Sequence, residues 1–121
     1  MQNLKYWINL YEKHKFDAIC LDIECTRWNG PISVIGAYRI KEGHVECVSL
    51  IKGKNLTFEN IKEVFQDAKI LITFNGLKFD VPKIKKDFPG AIPNVPVLDL
   101  YLFAKKLGMG ASLKTLETTF N

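Results

Sequence analysis

The chain reads as an α/β domain built on a mixed five-stranded sheet, a three-strand antiparallel meander followed by parallel strands, with helices flanking it. Three observations predict this. Two long strand-like runs, 32–40 and 44–51, are separated only by Lys41-Glu42-Gly43, which is a short hairpin. Phe58, Ile61, Val64, Phe65 and Ala68 then form a helical stripe. The apolar run after it, 70–74, has to return parallel to the sheet through a right-handed crossover.

The remaining elements come in chain order. Leu4, Trp7, Ile8 and Tyr11 fall at helical spacing, which predicts an amphipathic N-terminal helix covering the sheet. Residues 18–25 make strand one. Thr57 is placed to cap the helix that carries the Phe58 stripe. After strand four, Asn75-Gly76 marks a tight turn and Pro82 fits the first turn of a helix over 81–88, where a missing N–H does no harm. Pro89-Gly90 ends that helix. Residues 95–98 give a short fifth strand, confined to an edge by Pro96. Asp99 caps a helix running to Leu107, Gly108 stops it, and Ser112 caps a last helix ending near Phe120.

Composition narrows the classes of function. The 121 residues suit one domain, and 47% hydrophobic with 25% charged residues is ordinary for a soluble globular chain. No stretch is long enough for a membrane span, and the first residues lack the layout of a signal peptide, so a cytoplasmic protein with no membrane partner is expected. Cys20, Cys25 and Cys47 form no Cys-x-x-Cys pair; buried thiols in strands are expected, with neither a disulfide framework nor a zinc site. The net charge of +4 permits a polyanionic partner. Lys78, Lys83, Lys85 and Lys86 surround the turn after strand four, while Lys105, Lys106 and Lys114 lie further on. If they ring a common crevice they attract phosphates; otherwise they are solvated helix faces.

The most informative residues are Asp22 and Glu24, which end strand one. Residues two apart on a strand share a face, so both carboxylates point the same way. On a largely buried strand that arrangement is costly unless a cation sits between them; on the wet face of an antiparallel strand it needs no such ion. Asp80 stands at the start of the helix after strand four, either as an N-cap or across a crevice from the first pair.

These segments resemble a known group. Asp22-Ile23-Glu24, with Asn75-Gly76-Leu77-Lys78-Phe79-Asp80-Val81-Pro82 about fifty residues on, is similar to the first two motifs of the DEDD superfamily of 3'-5' exonucleases. The wording is nearest the predicted ribonuclease H-like exonucleases and the proofreading domain of family B DNA polymerases. Leu98-Asp99-Leu100 and the 112–117 segment resemble the stretch after the second motif in the ribonuclease H-like exonuclease family. The resemblance implies a ribonuclease H-like fold and a metal-dependent 3'-5' exonuclease acting on nucleic acid, most naturally a single-stranded 3' end, with two Mg2+ or Mn2+ ions. Asp22 would bridge both ions, Glu24 would bind the ion that activates water, and Asp80 would hold the second through water. Asn75 would orient the neighbouring strand end or a phosphate, with Lys78 beside the substrate. Phe79 would be a base wedge or a core residue. Trp28 would stack on a terminal base or pack on its own domain. Asp99 is a candidate extra ligand, weaker than its role as a cap.

One family feature is missing from the sequence. The fourth carboxylate lies in a Tyr-x-x-x-Asp or His-x-x-x-x-Asp pattern, and neither occurs here. The expectation is a domain C-terminally short of that helix and weak in catalysis, with a second polypeptide or a longer chain supplying the motif. The alternative is a non-catalytic module binding nucleic acid or a protein partner.

Overall fold

The computed structural model describes residues 4–27 and 30–106. Helix α1 spans Leu4–His14 and passes through a short 3-10 turn into strand β1, Ala18–Cys25. Strands β2 (Ile32–Lys41) and β3 (His44–Ile51) come next, then α2 (Phe58–Phe65), β4 (Ile70–Thr73), α3 (Asp80–Asp87), β5 (Val97–Asp99) and α4 (Leu100–Lys106). The strands form one sheet in the order β3-β2-β1-β4-β5. Pairing is antiparallel between β1 and β2 and between β2 and β3, and parallel from β1 to β4 and from β4 to β5. The mixed sheet is therefore the one the sequence predicts.

Local chemistry explains the joints. In the β2–β3 hairpin Glu42 and Gly43 both have positive φ, 52° and 81°, the backbone twist that matches flanking strands. The Thr57 side chain accepts a hydrogen bond from the Asn60 N–H and caps α2. Arg39 of β2 makes two bonds to Asp67, at 3.1 and 3.2 Å, and so ties the connection between α2 and β4 to the meander.

One face of the sheet holds the larger core: Ile19 and Leu21 of β1, Ile35 of β2 and Leu71 of β4 pack beneath the Ile61 and Phe65 of α2 and the Ile84 of α3. On the other face Ala18, Ile70 and Leu98 meet Trp7 and Leu10 of α1 and Phe103 of α4. The stripe of α1 thus centres on Trp7 and Leu10, while Ile8 is 52% exposed. Strand β5 begins after Pro96, which has no N–H to give but whose carbonyl accepts from Leu71. Helix α3 begins at Asp80, one residue before the expected start, and the helix expected from Ser112 lies outside the described residues.

The cysteines differ from expectation. Cys20 and Cys47 are exposed and Cys25 is half-buried. Strand alternation is the reason: with Ile19 and Leu21 in the core, Cys20 must share the outer face of Asp22 and Glu24, and Cys47 sits on edge strand β3. Among the described residues no helix is long and apolar enough to cross a membrane.

Candidate carboxylate site

Asp22 and Glu24 lie on the exposed face of β1, as their spacing requires. Opposite Asp22 across the β1–β2 ladder stands Gly36, which puts no side chain beside it. Tyr38, two residues along β2, leans over that gap: a Cβ at Gly36 would lie 3.6 Å from both a ring carbon and the hydroxyl of Tyr38. The register then shifts between Glu24 and Cys25, an irregularity that re-aims the end of β1. Ser33 Oγ donates to the Glu24 carbonyl at 2.9 Å across this irregular stretch.

Asp80 is delivered by the turn between β4 and α3. Asn75 adopts φ 62°, a left-handed conformation that asparagine tolerates better than most residues. A Cβ at Gly76 would fall 2.5 Å from the Thr73 Cβ, so the turn also requires glycine at its next position. The turn is fastened from β5. Asp99, 3% exposed, accepts from the Asn75 N–H at 2.7 Å, the Leu77 N–H at 3.1 Å and the Tyr101 N–H at 3.0 Å. The last of these is the helix cap expected from the sequence; the first two hold the turn. With its oxygens committed to three backbone donors, Asp99 is a structural acceptor, poorly suited to serve as an extra metal ligand. Asn75 acts through its backbone, which gives the turn its shape and its N–H to Asp99.

The turn brings the Asp80 carboxylate to β1. Pairing of β1 with β4 stops at Cys20 and Ile72, so β1 outruns its parallel neighbour. The Ile23 N–H donates instead to Asp80 Oδ2 at 3.2 Å. Partial burial, and after it the Asp22 charge, push the Asp80 carboxyl up to about 6; the Ile23 N–H opposes both, and Asp99 adds a smaller upward push. Asp22 and Asp80 are thus two acids held close enough to repel. Among the described residues no three His, Cys, Asp or Glu side chains gather into a metal cluster. Glu24, next along the same strand face, does not join Asp22 and Asp80 in a three-ligand group, so the repelling pair alone is the donor set that fits a hard divalent cation such as Mg2+ or Mn2+.

Of the other expected site residues, Phe79 precedes Asp80 and is 44% exposed, with the Lys78 ammonium 5.9 Å from its ring centre. Trp28 lies outside the described residues.

A family model of the RNase H superfamily matches residues 19–121. The chain belongs to the RNase H superfamily. Two crystal structures of the EXD2 exonuclease domain, one soaked in Mg and one in Mg and GMP, are similar to it in fold. Each is 22% identical with a TM-score of 0.50, covering 93% of this chain and 59% of that chain. The chain thus spans less than two thirds of the length of those domains. No curated protein matches the chain significantly.

Within this RNase H-like sheet, sequence reasoning missed two features beside the acids. Gly36 and Tyr38 become neighbours of Asp22 only through the β1–β2 register, which no local pattern in 32–41 reveals. The triple role of Asp99 depends on donors from three segments. Its position one residue ahead of a helix signals only the cap.

Proposed function

We propose that this RNase H superfamily chain is a metal-dependent nuclease that hydrolyses phosphodiester bonds of nucleic acid from a 3' end, with Mg2+ or Mn2+ held at Asp22, Glu24 and Asp80. The observation that carries the reading is the approach of Asp80 to Asp22 at the end of the two central parallel strands, with the Asp80 carboxyl raised to about 6 by burial and by that neighbour. Such a pair is unfavourable on its own and favourable around a cation. Open α/β sheets also place their ligands at the carboxyl ends of strands. Bound there, divalent ions would activate water and stabilise the leaving oxygen of an in-line displacement.

The protein's own part is to hold the acids. The Ile23 N–H orients one oxygen of Asp80, and Asp99 fixes the turn that carries Asp80 to β1. Gly36 leaves room on the face of Asp22, where Tyr38 flanks the site. Above about pH 6 Asp80 is ionised and ready to accept a cation.

The absence of a three-ligand cluster among the described residues favours a second reading, a nucleic-acid-binding or partner-binding module without catalysis. The sequence has neither the Tyr-x-x-x-Asp nor the His-x-x-x-x-Asp pattern of the motifs it resembles. The two readings separate in a cleavage assay on a 3'-labelled single strand with Mn2+, using the chain with and without a C-terminal extension bearing Tyr-x-x-x-Asp. Cleavage that is weak alone, rises with the extension and is lost in Asp22→Asn supports the nuclease. Strand binding without cleavage by either form establishes the module.

A further inference from the structure

The sheet face opposite the larger core is incompletely covered. Helix α1 lies over it without one buried residue, although Trp7 and Leu10 pack against Ala18, Ile70 and Leu98. Between α1 and α4 opens a groove of about 360 Å3, floored by Ile72 of β4 and Leu98 of β5. Trp7, Ile8 and Tyr11 form its α1 wall, and Leu100 and Phe103 its α4 wall. No charged side chain lines it. Ile8 and Tyr11 remain 52% and 38% exposed although they belong to that wall. Apolar surface of this kind is unfavourable in water, so the groove selects a cover of apolar side chains.

We propose that the chain's own residues 112–120 are that cover, docked as a helix antiparallel to α4 with Leu113, Leu116 and Phe120 in the groove. Continuity of the chain comes first. Helix α4, which is one wall, ends at Lys106, and only Leu107-Gly108-Met109-Gly110-Ala111 separates it from Ser112. A connection this short, with two glycines, joins helices that lie side by side and antiparallel. Pattern agrees: Leu113, Leu116 and Phe120 stand at i, i+3 and i+7 on one helix face, with Lys114, Thr115 and Thr118 on the other. Length agrees as well, since at about 1.5 Å per residue the segment runs about 13 Å beside about 10 Å of α4. Leu113 then meets the Phe103 end of the wall and Phe120 the Leu100 end. Leu102, 41% exposed on α4, stands outside the groove. The inference goes beyond the nuclease reading and is independent of it.

The test is NMR on the whole 121-residue chain. Through-space cross-peaks are expected from the Leu113 and Leu116 methyls and the Phe120 ring to Trp7, Ile8 and Phe103, within one molecule. A mixture of isotope-labelled and unlabelled chains identifies the source of each contact. Cross-peaks that arise only between copies mean that a second chain fills the groove, and they overturn the proposal. So does the absence of any cross-peak between residues 112–120 and the groove. A second readout uses Trp7, which with Trp28 makes up the chain's two tryptophans. In a Trp28→Phe background, Leu116→Ser and Phe120→Ser should each shift Trp7 emission to the red and increase its quenching by acrylamide. Lys114→Gln should leave both as in that background. Trp7 emission and quenching unchanged in both serine variants would overturn the proposal. Should either serine variant lose its cooperative unfolding transition, the cross-peaks of the unsubstituted chain decide.

Discussion

Asp80 and Asp99 flank the same turn and have the same side chain, yet the protein uses them in opposite ways. Asp99 is sealed in with three backbone N–H donors, while among the described residues Asp80 accepts from the Ile23 N–H alone and has a like charge in Asp22 for a neighbour. A buried carboxylate whose oxygens are filled by amide donors holds structure together. One that is short of donors and crowded by another acid leaves free acceptor capacity and stored repulsion, both of which a cation would relieve. What separates a structural acid from a candidate ligand here is the supply of donors, and neither residue type nor position near a strand end reveals it.

The largest effect that can break this contrast is on stability. Asp99→Ala leaves three backbone N–H groups without their acceptor, and since each unsatisfied buried group costs about 1–3 kcal/mol, with water reaching part of the gap, a loss of about 3–5 kcal/mol in urea unfolding is expected. Asp80→Asn should do the reverse at pH 7, leaving the metal-free protein as stable as the parent or more so. An amide keeps an acceptor for the Ile23 N–H and removes the repulsion with Asp22. If both substitutions destabilise equally, the distinction between the two acids fails.

A smaller effect sharpens the comparison through pH. The Asp80 carboxyl titrates near 6 in the folded chain against an ordinary 3.8, so between these values the folded state holds a proton that the unfolded state has released. Stability then falls as pH rises through this window. The contribution of Asp80 is fully present below about 3.8 and is lost above about 6. Chemical unfolding at a series of pH values should show this decline in the parent and a flatter profile in Asp80→Asn. A parent profile matching that of Asp80→Asn would mean that neither burial nor the Asp22 charge raises the Asp80 carboxyl.

Much of this architecture was legible in the sequence, for identifiable reasons. β1, β3 and α2 are bounded by local signals: the carboxylates that end β1, the Lys41-Glu42-Gly43 hairpin, and Thr57, whose side chain caps its helix. The shared face of Asp22 and Glu24 comes from strand period alone. That same period places Cys20 with them, against the burial expected of a free thiol. The period of the strand outweighs the burial preference of cysteine because Ile19 and Leu21 already claim the core. Long-range relations were not legible. The sequence shows neither that β1 outruns β4, freeing the Ile23 N–H for Asp80, nor that Gly36 faces Asp22, because both are matters of register between separate strands.

The most direct test of the central claim is a calorimetric titration of Mn2+ and Mg2+ into the parent chain, Asp80→Asn and Asp99→Asn at pH 7, each first checked for a cooperative unfolding transition. The expected result is saturable Mn2+ binding to the parent with a rise in melting temperature by mass action, loss of both in Asp80→Asn despite its intact fold, and retained binding by whatever fraction of Asp99→Asn is folded. No binding by the parent, or equal binding by the parent and Asp80→Asn, would contradict the assignment of the Asp22–Asp80 pair as a metal site.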